Sequence, residues 1–265
     1  MSVRRFLRGS VPAEDLESVA EEAIRRHGES LESVRTLDAD NWLSTPAVVN
    51  ERLFLKLISV QNTVVHGVLT TGRNLGAFTS GREGFFERFG TPLAMAEHEL
   101  EATRSMRELG INVPEPLEVF EYQGYGVVVL EYLPEFRTLD ELDGDEVRAV
   151  APELFEFLSR MHDAGFVHGD LRGENVLIAD GDLYFIDATN VNEDALEDAR
   201  AYDLACALAA LDPLIGAQDA VRVASEYYED EVLLDAMSFL DFVNLRPDHD
   251  FEVMTVKGEL EKIVS

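Results

Sequence analysis

Residues 53–58 read LFLKLI, and alternate positions build two apolar faces. Leu53, Leu55 and Leu57 share one; Phe54 and Ile58 share the other, with Lys56 set among them. The period of two predicts a strand, and apolar residues on both faces predict that it is buried. An ammonium in such a strand needs an anion beside it. Two further strands are expected before it, over Leu31–Leu37 and Trp42–Val49, with a turn at Asn50–Glu51. Helical spacing of Leu16, Val19, Ala20, Ala23 and Ile24 predicts a helix from Pro12 to His27, stopped by Gly28. A second helix opens at Thr91–Pro92 and closes at Gly110; Met95, Ala102, Met106 and Leu109 form its apolar stripe. Glu99 falls on that stripe, unlike Glu97, Glu101 and Glu108, where an ion pair with Lys56 would satisfy both charges and a pairing with an arginine at the stripe's edge is the alternative. Gly126–Leu133 is an apolar strand interrupted by Glu131 and Tyr132.

The second half reads as mainly helical. A helix through Leu154, Phe157, Leu158 and Met161 ends at Gly165 and leads into FVHGDLRGENVLIADGDLYFIDAT, residues 166–189. Here Val176–Ile178 and Leu183–Ile186 are two short strands joined at a Gly181–Asp182 turn. The hairpin gathers Asp170 and Asn175 at one flank and Asp187 at the other. Three oxygen-bearing side chains so placed can hold a hard divalent cation whose remaining ligands are phosphate oxygens, which points to Mg·ATP chemistry. Ala199–Leu211 is an apolar helix interrupted by Asp203, and residues 215–265 predict two or three more helices without a motif, Phe251–Val256 being ambiguous between strand and helix. His162 and His168 lie near the loop and are assigned no chemistry. Ser, His and Asp show no nucleophile-elbow pattern, and His and Cys show no metal-ligand spacing.

Composition adds two points. The formal charge is -30, from 52 acidic and 22 basic residues in 265, and Lys56, Lys257 and Lys262 are the only lysines. The acids are spread along the chain, so the expectation is a surface adapted to high salt, which screens like charges. One cysteine, Cys206, rules out an internal disulfide and suits a reducing compartment. With no signal peptide and no long apolar span, a soluble cytoplasmic protein without a membrane partner is expected. No direct nucleic-acid binding is expected.

His168-Gly169-Asp170-Leu171, Asn175 and Ile186-Asp187 resemble the catalytic loop and metal-binding strand end of the protein-kinase-like fold, above all its atypical branch: the RIO family and the small kinase of the archaeal tRNA threonylcarbamoyladenosine complex. The resemblance covers about residues 31–210. It implies an α+β two-lobed fold, with an antiparallel-sheet lobe and one key helix in residues 1–133 and a mainly helical lobe in 134–265. It also implies transfer of the ATP γ-phosphoryl group, with Mg²⁺ or Mn²⁺, to a serine or threonine of a protein or of the chain itself. Under it Asp170 orients or deprotonates the acceptor hydroxyl, Asn175 and Asp187 hold the metal, and Lys56 and Glu99 position the ATP phosphates. Glu131 and Leu133 supply backbone contacts to adenine, and Leu130 lines its pocket. Arg172 stands where protein kinases have lysine and can neutralise the transferring group, and Asp203 would bond the loop backbone. A small-molecule kinase, a regulatory ATPase and a non-catalytic nucleotide-binding scaffold remain alternatives. A ribosomal or tRNA-modification assembly is a partner by resemblance alone. The sequence departs from the family at residues 38–45, DADNWLST, which lack the phosphate-covering glycines. It also inserts residues 60–90, rich in glycine and phenylalanine, for which a nucleotide cover, a self-phosphorylation segment and a docking segment stay open.

Overall fold

The computed structural model describes residues 11–37, 44–63, 89–188, 196–246 and 249–263. The expected short helix at 64–69, most of the 60–90 insertion and most of the DADNWLST stretch lie outside the described residues. The chain divides into two compact units, one from residues 1–73, 87–104 and 114–134, the other from 74–86, 105–113 and 135–265.

The first unit is a five-stranded sheet with a helix on each face. Helix α1 (Ala13–Arg26) is followed by β1 (Val34–Thr36), β2 (Thr45–Val49) and β3 (Leu53–Ile58), then helix α2 (Pro92–Glu108), β4 (Pro116–Tyr122) and β5 (Tyr125–Glu131). The spatial order is β1-β2-β3-β5-β4, and every pairing is antiparallel. β3 is therefore the central strand, as its two apolar faces require. Leu53, Leu55 and Leu57 join Val127 and Val129 of β5 in a cluster closed by Val19, Ala20, Ala23 and Ile24 of α1. On the other face Ile58, Val128 and Leu130 meet Met95, Ala96 and Leu100 of α2. The alternation that sends Leu55 and Leu57 toward α1 sends Lys56 toward α2. Tyr125 ties β5 to α1, its hydroxyl donating to Asp15 Oδ2 at 2.8 Å.

Strand boundaries differ from expectation: of the strand expected over Trp42–Val49, Trp42 and Leu43 lie outside the described residues and the strand itself runs over Thr45–Val49, without Ser44. The first strand is confined to Val34–Thr36 because it pairs only with Ala47–Val49. The strand expected over Gly126–Leu133 runs over Tyr125–Glu131, since the Tyr132 N–H turns to the Arg52 carbonyl at 2.9 Å. Gly126 packs directly under the start of α2, where a Cβ would run into the Pro92 carbonyl and the Leu93 nitrogen. That obstacle is backbone and cannot rotate away. Gly126→Ala is expected to destabilise the protein by about 1–3 kcal/mol, measured by chemical denaturation; an unchanged midpoint would contradict the close approach.

The second unit is mainly helical. Short β6 (Arg137–Thr138) precedes helix α3 (Gly144–Asp163), whose start is fixed by a reciprocal cap between Asp143 and Glu146. Then come β7 (Val176–Ala179), β8 (Asp182–Phe185) and helices α4 (Leu196–Ile215), α5 (Ala217–Ala224), α6 (Asp230–Val243) and α7 (Val253–Ile263). β6, β7 and β8 make a three-stranded antiparallel sheet. The hairpin turn falls at Asp180–Gly181, one residue before the expected Gly181–Asp182. Both residues take positive φ, 53° and 92°, the twist a two-residue loop needs. Helix α4 is longer than the expected Ala199–Leu211 and continues through Pro213. It is buried from Ala201 to Leu211 and packs against α6, α5 and α3, as a helix apolar all round must. The ambiguous Phe251–Val256 stretch enters helix α7 at Val253.

Candidate functional site

In the first unit, Lys56 Nζ forms an ion pair with Glu99 Oε1. The lysine side chain is 5% exposed and the glutamate side chain 17%, so the two charges are largely removed from water and each compensates the other. Leu130 is buried in the cluster that faces α2, Glu131 is exposed at the end of β5, and half-buried Leu133 lies two residues beyond it. The Glu131 N–H donates to the Glu115 carbonyl at 2.9 Å.

In the second unit the loop from Phe166 to Asn175 is held from beneath by α4. Asp203 is fully buried there and accepts from two successive backbone N–H groups, His168 at 2.5 Å on Oδ2 and Gly169 at 2.7 Å on Oδ1. Gly169 has φ 77°, which favours glycine at the point where the backbone bends onto this carboxylate. His162 Nε2 lies 3.4 Å from the same Asp203 oxygen, and the ring's other nitrogen, Nδ1, is 2.9 Å from the Tyr228 hydroxyl. His168 packs edge-on against Phe185, ring centroids 5.4 Å apart. Burial pushes its imidazole below the ordinary value, against the opposing pull of Asp203 and Asp170. A neutral, enclosed histidine suits a structural role.

Asp170, Asn175 and Asp187 are assembled around this support. Asn175 Nδ2 donates to the Asp170 carbonyl at 2.8 Å and lies 3.5 Å from Asp170 Oδ2. This fixes the amide with its oxygen as the end that can face a cation. The Ile186 N–H donates to the Asn175 carbonyl at 3.1 Å, which brings the residue before Asp187 onto the loop. Asp187 itself has φ 63°, an uncommon left-handed conformation at the end of β8. A carboxylate and a carboxamide oxygen are a hard donor set. Among the described residues no group of three or more His, Cys, Asp or Glu can hold a metal ion. The hard oxygens of Asn175 and Asp187 fit a magnesium ion that takes two side chains from the protein and the rest of its ligands from phosphate and water, the usual habit of that ion.

Arg172 Nε lies 3.6 Å from Asp170 Oδ2, and its Nη1 is 3.1 Å from Glu174 Oε2. Gly173 lies so close to Asp140 that a Cβ would strike the carboxylate. Burial pushes the Asp140 carboxyl above its ordinary value, against the pull of Arg172. Sequence reasoning missed a further contact. Arg246, three residues past α6, donates from Nη2 to Asp170 Oδ1 at 2.7 Å and from Nη1 to the Tyr202 hydroxyl. Its only sequence signal is an arginine after a helix end, where a cation is ordinary. Cys206 Sγ is 4.0 Å from Arg246 Nη1, and burial pushes its thiol up to about 12, which favours the protonated form.

Comparison with solved structures matches the fold to a putative fructosamine-3-kinase from Haemophilus somnus, with a TM-score of 0.52 and 12% identity, covering 94% of this chain and 97% of that one. Residues 86–202 match the RIO domain family model. The fold is protein-kinase-like. The KEOPS complex subunit Bud32 of Pyrococcus abyssi is 33% identical over 109 residues, 40% of this chain and 49% of that protein. The RIO-type serine/threonine-protein kinase Rio1 of Haloferax volcanii is 34% identical over 82 residues, 29% of this chain and 27% of that protein. The chain spans about half the length, or less, of the curated relatives it matches. Within the kinase-like frame, Lys56 and Glu99 belong to the first unit, and Asp170, Arg172, Asn175 and Asp187 to the second.

Proposed function

We propose that the chain is an ATP-dependent phosphotransferase of the atypical RIO type, moving the γ-phosphoryl group of ATP to a serine or threonine hydroxyl of a protein, its own chain included. The observation that carries this is the loop on which Asp203 fixes the backbone, Asn175 bonds to Asp170, and Ile186, the residue before Asp187, bonds to Asn175. In this reading Asp170 accepts the hydrogen bond of the acceptor hydroxyl and aims it in line with the phosphoryl group. Asn175 and Asp187 hold Mg²⁺ or Mn²⁺, which when bound offsets the charge of the phosphates. Lys56 binds phosphate oxygens and Glu99 sets the direction of its ammonium. Arg172 faces the charge that spreads over the transferring group. The backbone of Glu131 and Leu133, with Leu130, receives adenine. Among the described residues no helix is long and apolar enough to cross a membrane. The names of two relatives, a KEOPS complex subunit and a probable bifunctional tRNA threonylcarbamoyladenosine biosynthesis protein, support association with a tRNA-modification assembly.

A second reading is a small-molecule acceptor. It draws on the short link of residues 188–195 between Asp187 and α4, which offers little chain for a peptide-docking platform. Profiling sugars, aminoglycosides and proteins as acceptors separates the two readings.

The deciding experiment incubates the protein with γ-labelled ATP and Mg²⁺ or Mn²⁺ at molar salt, where a charge of -30 is screened. Asp187→Asn is run beside it. Asparagine tolerates the left-handed backbone at 187 better than alanine, so the variant removes the charge and little else. Label on protein or as free phosphate is expected from the wild type, falling by about 10²-fold in the variant. Equal turnover in both would refute the metal role; no turnover and no ATP binding in the wild type would refute the phosphotransferase reading.

A further inference from the structure

The geometry points to Arg246 as a positioning residue for Asp170, an inference that rests on the phosphotransferase reading. The pair is enclosed, with side chains 7% and 11% exposed. A guanidinium in so dry a place is retained only if anions and acceptors meet it, which separates this contact from a surface ion pair. Arg246 meets two. One nitrogen reaches the Asp170 carboxylate and another the Tyr202 hydroxyl, and the rigid planar fork couples their positions.

Tyr202 immediately precedes Asp203 on α4. Neighbouring residues of one buried helix therefore hold the loop twice: Asp203 by its backbone N–H groups, Tyr202, through Arg246, by the side chain of Asp170. The segment after α6, where no motif was found, thus reaches the residue proposed to aim the acceptor. A brake would have to leave when substrate binds. Here departure would strand a buried cation and break its second anchor, so the arrangement is that of a fixed tie. Displacing a group that aims a reactant by about 1 Å costs on the order of 10²-fold in rate.

The test compares Arg246→Met, Arg246→Lys and Tyr202→Phe with wild type, reading kcat, KM for ATP and circular dichroism, and repeats Arg246→Met in an Asp170→Asn background. Expected for Arg246→Met is a loss of about 10²-fold in kcat with KM for ATP nearly unchanged, partly recovered by Arg246→Lys. In the Asp170→Asn background the same change costs little more, because Arg246 acts through Asp170. If Arg246→Met does not fold, Tyr202→Phe, which keeps every charge, carries the test and is expected to lower kcat several-fold. A rise in kcat, an undiminished loss in the Asp170→Asn background, or an unchanged kcat in Tyr202→Phe would overturn the positioning role. Wild-type protein that turns over no ATP would sink the phosphotransferase reading and this inference with it. Wild-type turnover unaffected by Arg246→Met would sink the inference alone.

Discussion

Asp170→Ala is expected to lower phosphoryl transfer by about 10²–10⁴-fold, with KM for ATP changed little. The carboxylate sits on a loop whose backbone is fixed independently by Asp203, so its removal deletes the group proposed to face the acceptor without dismantling its support. Alanine has a side effect that must be separated. It also takes the carboxylate partner from Arg246, a buried cation, and breaking such a pair from one side is destabilising. Asp170→Asn keeps an oxygen for Arg246 and removes the carboxylate proposed to orient or deprotonate the acceptor. A rate loss shared by both variants assigns the effect to chemistry; a loss confined to alanine assigns it to stability. Steady-state kinetics with labelled ATP, beside denaturation curves of both variants, make the distinction, and a loss below about tenfold in Asp170→Asn would count against the assigned role.

The second large effect concerns stability. Asp203→Ala leaves the N–H groups of His168 and Gly169 without the carboxylate they share, at a fully buried position. An unmatched buried donor costs about 1–3 kcal/mol, and a broken buried charge contact about 3–5 kcal/mol; the expected loss is therefore about 3–5 kcal/mol. Asp203→Asn retains one accepting oxygen and should lose less. Chemical denaturation measures the difference, and a fall under about 1 kcal/mol in the alanine variant would mean that the loop is held by other contacts.

What was legible beforehand follows from how far each signal travels along the chain. The alternation in β3 is local, and it located both the buried strand and Lys56. The stripe of α2 is equally local and placed Glu99 on the inner face, where the structure pairs it with Lys56. Asp203 stood out as a carboxylate in an apolar helix, although its backbone partners came from resemblance. The tie between Arg246 and Asp170 spans 76 positions and follows no period, so no pattern could disclose it. The two-residue strand β6 is too short to show a period. That α1 covers the face of the sheet opposite α2 was hidden for another reason: an amphipathic stripe says that a helix is covered, not by which surface.

The scarcity of lysine turns the interior ammonium at position 56 into a reporter. General amine reagents on the folded chain should reach Lys257 and Lys262 first, since Lys56 is 4% exposed. If Lys56 binds ATP phosphates as proposed, a nucleotide carrying an amine-reactive acyl phosphate is expected to deliver its modification to the interior amine instead. Trypsin would then skip residue 56 and release one uncut peptide from Leu53 to Arg73, a mass signature of nucleotide occupancy that needs no knowledge of the acceptor.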